Sequence, residues 1–273
     1  MKGYIMHEDY LNVERARRGC ALFLIGGLLL ELAGAVLIFT GRRELGVIVA
    51  VAGILTWLVT RSIGSKHYTA LCAELRVKYG VGMRDAVRQE SKVLQAEIPL
   101  FPLLPEEFRA NKPLLLHAFK GRWQSMNAMV AEMTVVYQPQ PRTNQYLSGT
   151  LLSIETPCAA PGLLAIYGHP YGGVSLNKWE GMSPVDTGDR GYLMLAKTGT
   201  EVSEYILDAF AAFGRDKETT AIVWTESGRV FVLLPIQFYS GHWTLFRYMP
   251  EAAVEAAPLP ALEELPKLIK KLA

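Results

Sequence analysis

The sequence predicts an α+β fold in which a two-helix transmembrane hairpin precedes a water-soluble, mainly antiparallel β-sheet domain with a packed helix. Two observations carry this prediction. Two apolar runs lie close together near the N-terminus, and alternating β-rich segments fill most of the second half of the 273-residue chain. This length allows one membrane module and one soluble domain. The predicted parts are an N-terminal segment (1–19), the hairpin (20–63), membrane-proximal helices with a proline-rich connector (64–112) and the soluble domain (113–273).

The first apolar run extends from Cys20 to Thr40 with Glu31 as its one charged residue, and the second extends from Leu45 to Ile63. About 20 helical residues cross a hydrocarbon core of roughly 30 Å, so both runs are candidate spans. The short connection between them requires two antiparallel neighbours. A cleaved signal peptide is the competing interpretation, since Ala33–Ala35 resembles a cleavage site. The apolar run continues past this site, which favours the hairpin.

Basic residues near the ends of the runs predict the orientation of the hairpin. Positively charged flanks stay in the cytoplasm. The loop between the runs carries only Arg42 and Arg43. The two outer flanks carry more: Lys2, Arg15, Arg17, Arg18, Arg61, Lys66, Arg76 and Lys78. We therefore expect both termini and the soluble domain on the cytoplasmic side of a bacterial inner membrane.

Each apolar run has small residues on one helical face, which allows two helices to approach closely. These residues are Gly27 and Gly34, which share their face with Glu31, and Gly46, Ala50 and Gly53 in the second run. Folding the hairpin about its turn places Glu31 opposite Gly53, without a cationic partner. We expect this carboxyl group to be protonated or hydrogen-bonded, and to serve helix association or homo-oligomer formation. An ion site in an accessory subunit of a channel or transporter is the alternative.

The soluble part begins with a polar, helix-favouring stretch, Ser65–Glu97, and a connector rich in proline. Apolar and β-branched segments then predict strands. The predicted strands are Leu114–Phe119, Asn127–Tyr137, Tyr146–Glu155, Leu163–Tyr167, Tyr192–Lys197, Thr219–Thr225, Arg229–Gln237 and an edge strand at His242–Tyr248. A helix is predicted at Glu201–Phe213. An amphipathic helix at Leu262–Leu272 either packs on the domain or lies on an anionic membrane surface.

Several short segments resemble the bacterial membrane-protein family called domain of unknown function 3137. They are Phe119-Lys120-Gly121, Val130-Ala131-Glu132-Met133, Tyr146–Leu152, Tyr192–Leu195, the helix Glu201–Phe213 and the hairpin Ile222–Ile236. Together they cover about half of the chain. The resemblance implies paired transmembrane helices beside such a domain. That family has no assigned activity, so the resemblance implies no active-site residue.

Two loops contain residues that could carry chemistry. His169 lies in Gly168-His169-Pro170-Tyr171-Gly172-Gly173, and Asp186 begins the Asp-Thr-Gly triplet of aspartic proteases. Such proteases need two carboxylates that share a proton, whereas this triplet occurs once. Glycine and aspartate in loops also need no catalytic explanation. We interpret both loops as structural turns, and a membrane-bound hydrolase that uses His169 and Asp186 is the alternative.

The sequence favours an interaction domain over an enzyme. The formal net charge of +2 gives no field that would indicate nucleic acid as a partner. Three widely spaced cysteines (Cys20, Cys72 and Cys158) predict no disulfide framework or metal site, and no cofactor is expected. Most aromatic residues in the last third of the chain are expected to fill the core, but Phe238, Tyr239 and Trp243 are candidates for exposure and could bind a partner. We therefore expect a membrane-anchored cytoplasmic domain that binds a protein or lipid partner beside the bilayer.

Overall fold

The computed structural model describes residues 2–157, 161–171, 175–214, 220–226, 228–236, 244–255 and 261–272. The chain forms two compact units. The helical unit comprises Met1–Tyr79 and Ser240–Ala256, and the sheet unit comprises Gly80–Tyr239 and Ala257–Ala273. The α+β class predicted from the sequence is confirmed, with two long apolar helices at the N-terminus and a large antiparallel sheet with packed helices.

The helical unit is built on two long helical segments. The first is α1 (Lys2–Phe39), and the second combines α2 (Arg43–Val59), a π turn (Thr60–Gly64), α3 (Ser65–Leu75) and a second π turn (Arg76–Gly80). Both segments are long and apolar enough to cross a membrane. Their apolar side chains point outward, and Leu22 and Phe39 are 68% and 90% exposed. In water such exposure would be unfavourable, whereas lipid accommodates it.

The polar part of α1 packs against α3 and against residues 245–254, which return from the far end of the sequence. Lys78 Nζ and the Tyr79 hydroxyl both donate hydrogen bonds to Asp9 Oδ2, at 2.5 and 2.6 Å. Arg17 Nη1 donates to the Leu245 carbonyl at 2.8 Å. The helical unit therefore extends well beyond the apolar runs and has a small core of its own. Its last element is α6 (Glu251–Glu255).

The sheet unit contains one ten-stranded sheet with the order β1-β3-β4-β5-β10-β9-β6-β8-β7, and β2 pairs with the end of β4. Every pairing between the described strands is antiparallel. The strands are β1 (Arg84–Arg88), β2 (Arg109–Ala110), β3 (Leu114–Trp123), β4 (Met126–Gln140), β5 (Thr143–Glu155), β6 (Leu163–Tyr167), β7 (Met182–Val185), β8 (Leu193–Lys197), β9 (Ala221–Glu226) and β10 (Arg229–Leu234).

The helix α5 (Glu204–Phe213) packs on one face of the sheet, and α7 (Ala261–Leu272) packs against α5. The buried Tyr167 and Tyr192 hydroxyls donate to the carbonyls of Phe210 and Leu207 on α5, at 2.8 and 2.9 Å. The apolar side of α7 is buried, with Leu265, Leu268, Ile269 and Leu272 almost inaccessible. The C-terminal amphipathic helix therefore packs on the domain, which was the first of the two interpretations of its sequence.

The opposite face is covered by residues 91–113, which combine α4 (Ser91–Leu94) with the proline-rich stretch and are called the connector from here on. Buried indole and phenol groups from the segment 171–179 fix it there. Tyr171 donates to the Leu103 carbonyl at 2.6 Å, and Trp179 Nε1 donates to the Pro102 carbonyl at 2.8 Å. The core below the connector includes a stacked pair, Trp224 and Phe231, whose ring centroids are 4.9 Å apart. The connector is thus part of the domain core.

Several local predictions were wrong. The segment Arg84–Arg88 lies in the stretch Ser65–Glu97 that was predicted as helix. It forms β1 because its backbone pairs with the edge of β3. The sheet unit accordingly begins at Gly80, well before the predicted boundary at 113. Thr244–Arg247 is a turn closed by reciprocal backbone hydrogen bonds of 3.1 and 3.0 Å, where an edge strand was predicted. His242 and Trp243 of that prediction lie outside the described residues.

Candidate functional site

A cavity of about 530 Å³ opens on the connector side of the sheet, at the end formed by β1, β3, β4, β5 and β10. Its lining includes charged, amide, hydroxyl and apolar side chains. They are Asp85, Val87, Gln89, Glu97, Lys120, Gly121, Arg122, Asn127, Ala128, Met129, Ser153, Glu155 and Arg229. Cavities of this size accommodate small ligands.

The register of the sheet brings these residues together in two rows. The rim row runs across the strands through residues that pair directly or lie side by side: Arg84, Arg122, Asn127, Glu155 and Arg229. The floor row lies two residues further along most strands: Val87, Lys120, Met129 and Ser153. Side chains two residues apart in a strand point to the same face, and every residue of the two rows except Arg84 lines the cavity. In β1 the two rows are three residues apart, because the register shifts between Arg84 and Val87. This shift allows Arg84 to pair with Arg122 and Val87 to pair with Lys120.

Glu97, from the connector, joins the cations of the cavity. Its Oε1 accepts a hydrogen bond from Lys120 Nζ at 2.8 Å, and its Oε2 accepts one from Arg229 Nη1 at 3.3 Å. Partial burial raises the pKa of Glu97, but the two hydrogen bonds and the positive charges of Lys120 and Arg229 together hold the pKa below its ordinary value. Glu97 is therefore ionised at neutral pH and holds both cations in place.

The second carboxylate of the network is Glu155 on β5. It accepts hydrogen bonds from Arg229 Nη2 at 2.8 Å and from Asn127 Nδ2 at 3.0 Å. Arg229 thus bridges Glu155 and Glu97, and the network is continuous from β3 through the connector to β5. Most charges in the cavity are compensated and geometrically fixed. Such a preorganised polar lining is suited to the recognition of a charged group.

The residues singled out for catalysis lie in other loops. Asp186 Oδ1 accepts a hydrogen bond from the Gly188 backbone at 2.9 Å, which closes a local turn. Arg190 attaches the same loop to α5 through ion pairs with Glu204 and Asp208. His169 is exposed, and Gly172 and Gly173 of its loop lie outside the described residues. Neither His169 nor Asp186 lines the charged cavity, and the hydrolase interpretation stays a prediction.

The small residues of the hairpin lie at the contact between α1 and α2. A methyl group added at Gly34 would lie 2.6 Å from the Ala50 backbone nitrogen and 2.7 Å from the Gly46 carbonyl oxygen. One added at Gly53 would lie 2.6 Å from the Gly27 carbonyl oxygen and 2.7 Å from the Glu31 backbone nitrogen. The helix backbones therefore touch along this seam. Glu31 is half-buried beside Gly53.

Other sequence features have fewer structural consequences. Cys20 and Cys72 are free thiols, and Cys158 lies outside the described residues. Within the described part of the chain, no group of three or more His, Cys, Asp and Glu residues could hold a metal ion. Phe238, Tyr239 and Trp243, considered above as partner-binding aromatics, also lie outside the described residues.

Sequence reasoning missed the charged cavity because its parts come from distant segments. Glu97 and Arg229 are separated by 132 positions, and β1 was not predicted as a strand. The alternation of Lys120 with Arg122 was the one local signal, since period-two charges mark a polar face of a strand. Comparison of the chain with models of protein families, with curated proteins and with solved structures finds no match. The resemblance of Phe119–Ile236 to domain of unknown function 3137 therefore stays a prediction.

Proposed function

We propose that this chain is a non-enzymatic, membrane-anchored interaction domain of the bacterial inner membrane that binds a protein or lipid partner. Two antiparallel spans, α1 and α2, form its anchor. Both termini and the sheet unit lie in the cytoplasm. The charged cavity of the sheet unit supplies the binding surface.

The main support for a membrane anchor is that two apolar helices contact each other through small residues while many of their other apolar side chains are exposed. Ile48, on α2, is 65% exposed, and Leu22, on α1, is 68% exposed. Soluble proteins rarely expose apolar patches of this extent. In lipid, by contrast, close backbone approach through glycine is a common basis of helix association.

The basic flanks support the proposed orientation. Arg15, Arg17 and Arg18 precede the first apolar run, and Arg61 and Lys66 follow the second. Cytoplasmic retention of such residues places the connecting turn, with Arg42 and Arg43, outside. The resemblance to domain of unknown function 3137, stated above, supports the same arrangement of paired helices and a soluble domain.

Membrane location and orientation can be tested by thiol labelling in bacterial cells. Natural cysteines are replaced by alanine, and single cysteines are introduced at Arg42, in the turn, and at Lys112, in the sheet unit. We expect an impermeant maleimide added outside spheroplasts to label the Arg42→Cys chain and to reach the Lys112→Cys chain only after lysis. The opposite pattern would refute the cytoplasmic placement, and a chain that stays monodisperse without detergent would refute the anchor itself.

Partner binding requires a second measurement. Crosslinking in native membranes, followed by mass spectrometry, should recover a reproducible partner with the wild-type chain. A chain that carries Glu97→Gln and Arg229→Gln should lose this partner, because the two substitutions remove the centre of the charged network. Equal crosslinking by both chains would show that the cavity is not the binding surface.

A further inference from the structure

Building on the membrane anchor proposed above, we infer that the helical unit binds the phosphodiester head group of an anionic phospholipid at the end of its second apolar run. The site is a groove of about 450 Å³ along the end of α2, the π turn Thr60–Gly64 and the start of α3. We call it the helix groove. Its lining consists of Trp57, Leu58, Arg61, Ser62, Ser65 and Lys66.

The described lining of the helix groove is positively charged. It contains two cations, Arg61 and Lys66, together with two serine hydroxyls, and it contains no carboxylate. Both cations are exposed, and neither makes an ion pair with a residue that the structure describes. A phosphodiester carries one negative charge on two acceptor oxygens, so guanidinium, ammonium and hydroxyl groups can all donate hydrogen bonds to it.

The π turn explains why both cations reach the same groove. Successive residues of an α-helix are about 100° apart, so residues five apart would point about 140° away from each other. In a π turn the backbone hydrogen bonds join residues five apart, which brings such residues close to one line along the helix. Arg61 and Lys66 are five residues apart across this turn, and so are Trp57 and Ser62.

Trp57 holds the Arg61 side chain in position. The guanidinium carbon of Arg61 lies 4.8 Å from the centre of the Trp57 ring, which is a cation–π contact. The indole is itself partly buried against the core of the helical unit. Arg61 is therefore ordered before a ligand binds, which lowers the entropic cost of binding.

The position of the helix groove favours a lipid over a free anion. Gly64 is buried against Cys20, the first residue of the first apolar run, and Ile63, the last residue of the second run, is 64% exposed. Tryptophan and basic residues at such a level meet the lipid head groups. Leu58 lies in the same groove, deeper in the apolar run, and is 49% exposed. An acyl chain can contact Leu58, whereas a small soluble anion would leave it uncovered.

Native mass spectrometry of the purified full-length chain in detergent micelles tests the inference. Phosphatidylglycerol and phosphatidylcholine with the same acyl chains are added, so that the two lipids differ in head-group charge. We expect phosphatidylglycerol to bind saturably and more tightly than phosphatidylcholine. Arg61→Gln should weaken phosphatidylglycerol binding about tenfold to a hundredfold, the usual effect of losing a hydrogen bond to a charged group. Arg61→Lys, which keeps the charge, should retain more binding than Arg61→Gln.

Arg15→Gln is the matched control, because Arg15 is an exposed cation of the same unit that lies outside the helix groove. It removes the same charge and should bind phosphatidylglycerol as the wild type does. Equal affinity for the two lipids, or equal weakening by Arg61→Gln and Arg15→Gln, would overturn the inference. Displacement of phosphatidylglycerol by an equal concentration of glycerol 3-phosphate would overturn the assignment to a lipid. The need for detergent is scored separately, so these results would leave the membrane anchor intact.

Discussion

Substitution of Gly34 by alanine tests the helix seam most directly. The added methyl group would lie 2.6 Å from the Ala50 backbone nitrogen and 2.7 Å from the Gly46 carbonyl oxygen. A favourable contact of carbon needs about 3.5 Å, so α1 and α2 must separate locally by roughly 1 Å. Backbone atoms cannot swing aside as a flexible side chain does. Overpacking of this kind costs about 1–3 kcal/mol.

Gly26→Ala is the matched control, because a methyl group at Gly26 meets no described atom within 4 Å. Both substitutions carry the same gain in helix propensity, about 1 kcal/mol, so their difference isolates the steric effect. The assay is unfolding of the purified chain by sodium dodecyl sulfate in mixed micelles, followed by helical circular dichroism. We expect Gly34→Ala to unfold at a lower detergent fraction than Gly26→Ala. Equal midpoints would refute direct backbone contact along the seam.

Two further predictions concern the sheet unit. Tyr167→Phe removes a buried hydrogen bond to the Phe210 carbonyl and should lower the free energy of unfolding by about 0.5–1.5 kcal/mol. Thermal or denaturant unfolding measures this change. Tyr146→Phe is the control, because Tyr146 is 67% exposed and its substitution should leave the free energy of unfolding unchanged. Glu97→Gln should lower stability at neutral pH. Because the folded-state pKa of Glu97 lies below its ordinary value of 4.5, this contribution is present above pH 4.5 and is lost as the pH falls through the folded-state pKa. Wild-type and Glu97→Gln unfolding midpoints should therefore converge in acid, and a constant difference down to pH 2 would contradict the assigned ion pairs.

The parts of the fold that sequence reasoning predicted are those in which composition and local period agree. The first apolar run, Cys20–Thr40, lies within α1 except for Thr40, and the second, Leu45–Ile63, lies within the segment that begins with α2. The long hairpin of β4 and β5 alternates apolar and β-branched residues, and its strands were predicted a few residues too short. In these segments each residue's own preference agrees with its surroundings.

The missed elements depend on partners that are distant in sequence. Arg84-Asp85-Ala86-Val87-Arg88 has no apolar alternation, and it becomes β1 because the edge of β3 pairs with its backbone. Edge strands tolerate such charged sequences. Leu245 is buried in the helical unit, in a segment whose composition indicated a strand. Prediction of the charged cavity would have required both the strand β1 and the cross-strand register, which a single sequence does not reveal.

The unbroken course of α1 from Lys2 to Phe39 has a mechanical consequence. Asp9 contacts Lys78 and Tyr79 in the polar part of the unit, while Gly34 contacts α2 in the apolar part. Successive residues of a helix are about 100° apart around its axis. If α1 shifted by one residue relative to its neighbours, the residues at both contacts would therefore point in other directions, and both contacts would be lost together. The contacts at Asp9 and at Gly34 therefore require the same axial position and rotation of α1. A substitution at Gly34 that separates α1 from α2 should accordingly also weaken the contacts of Asp9 with Lys78 and Tyr79.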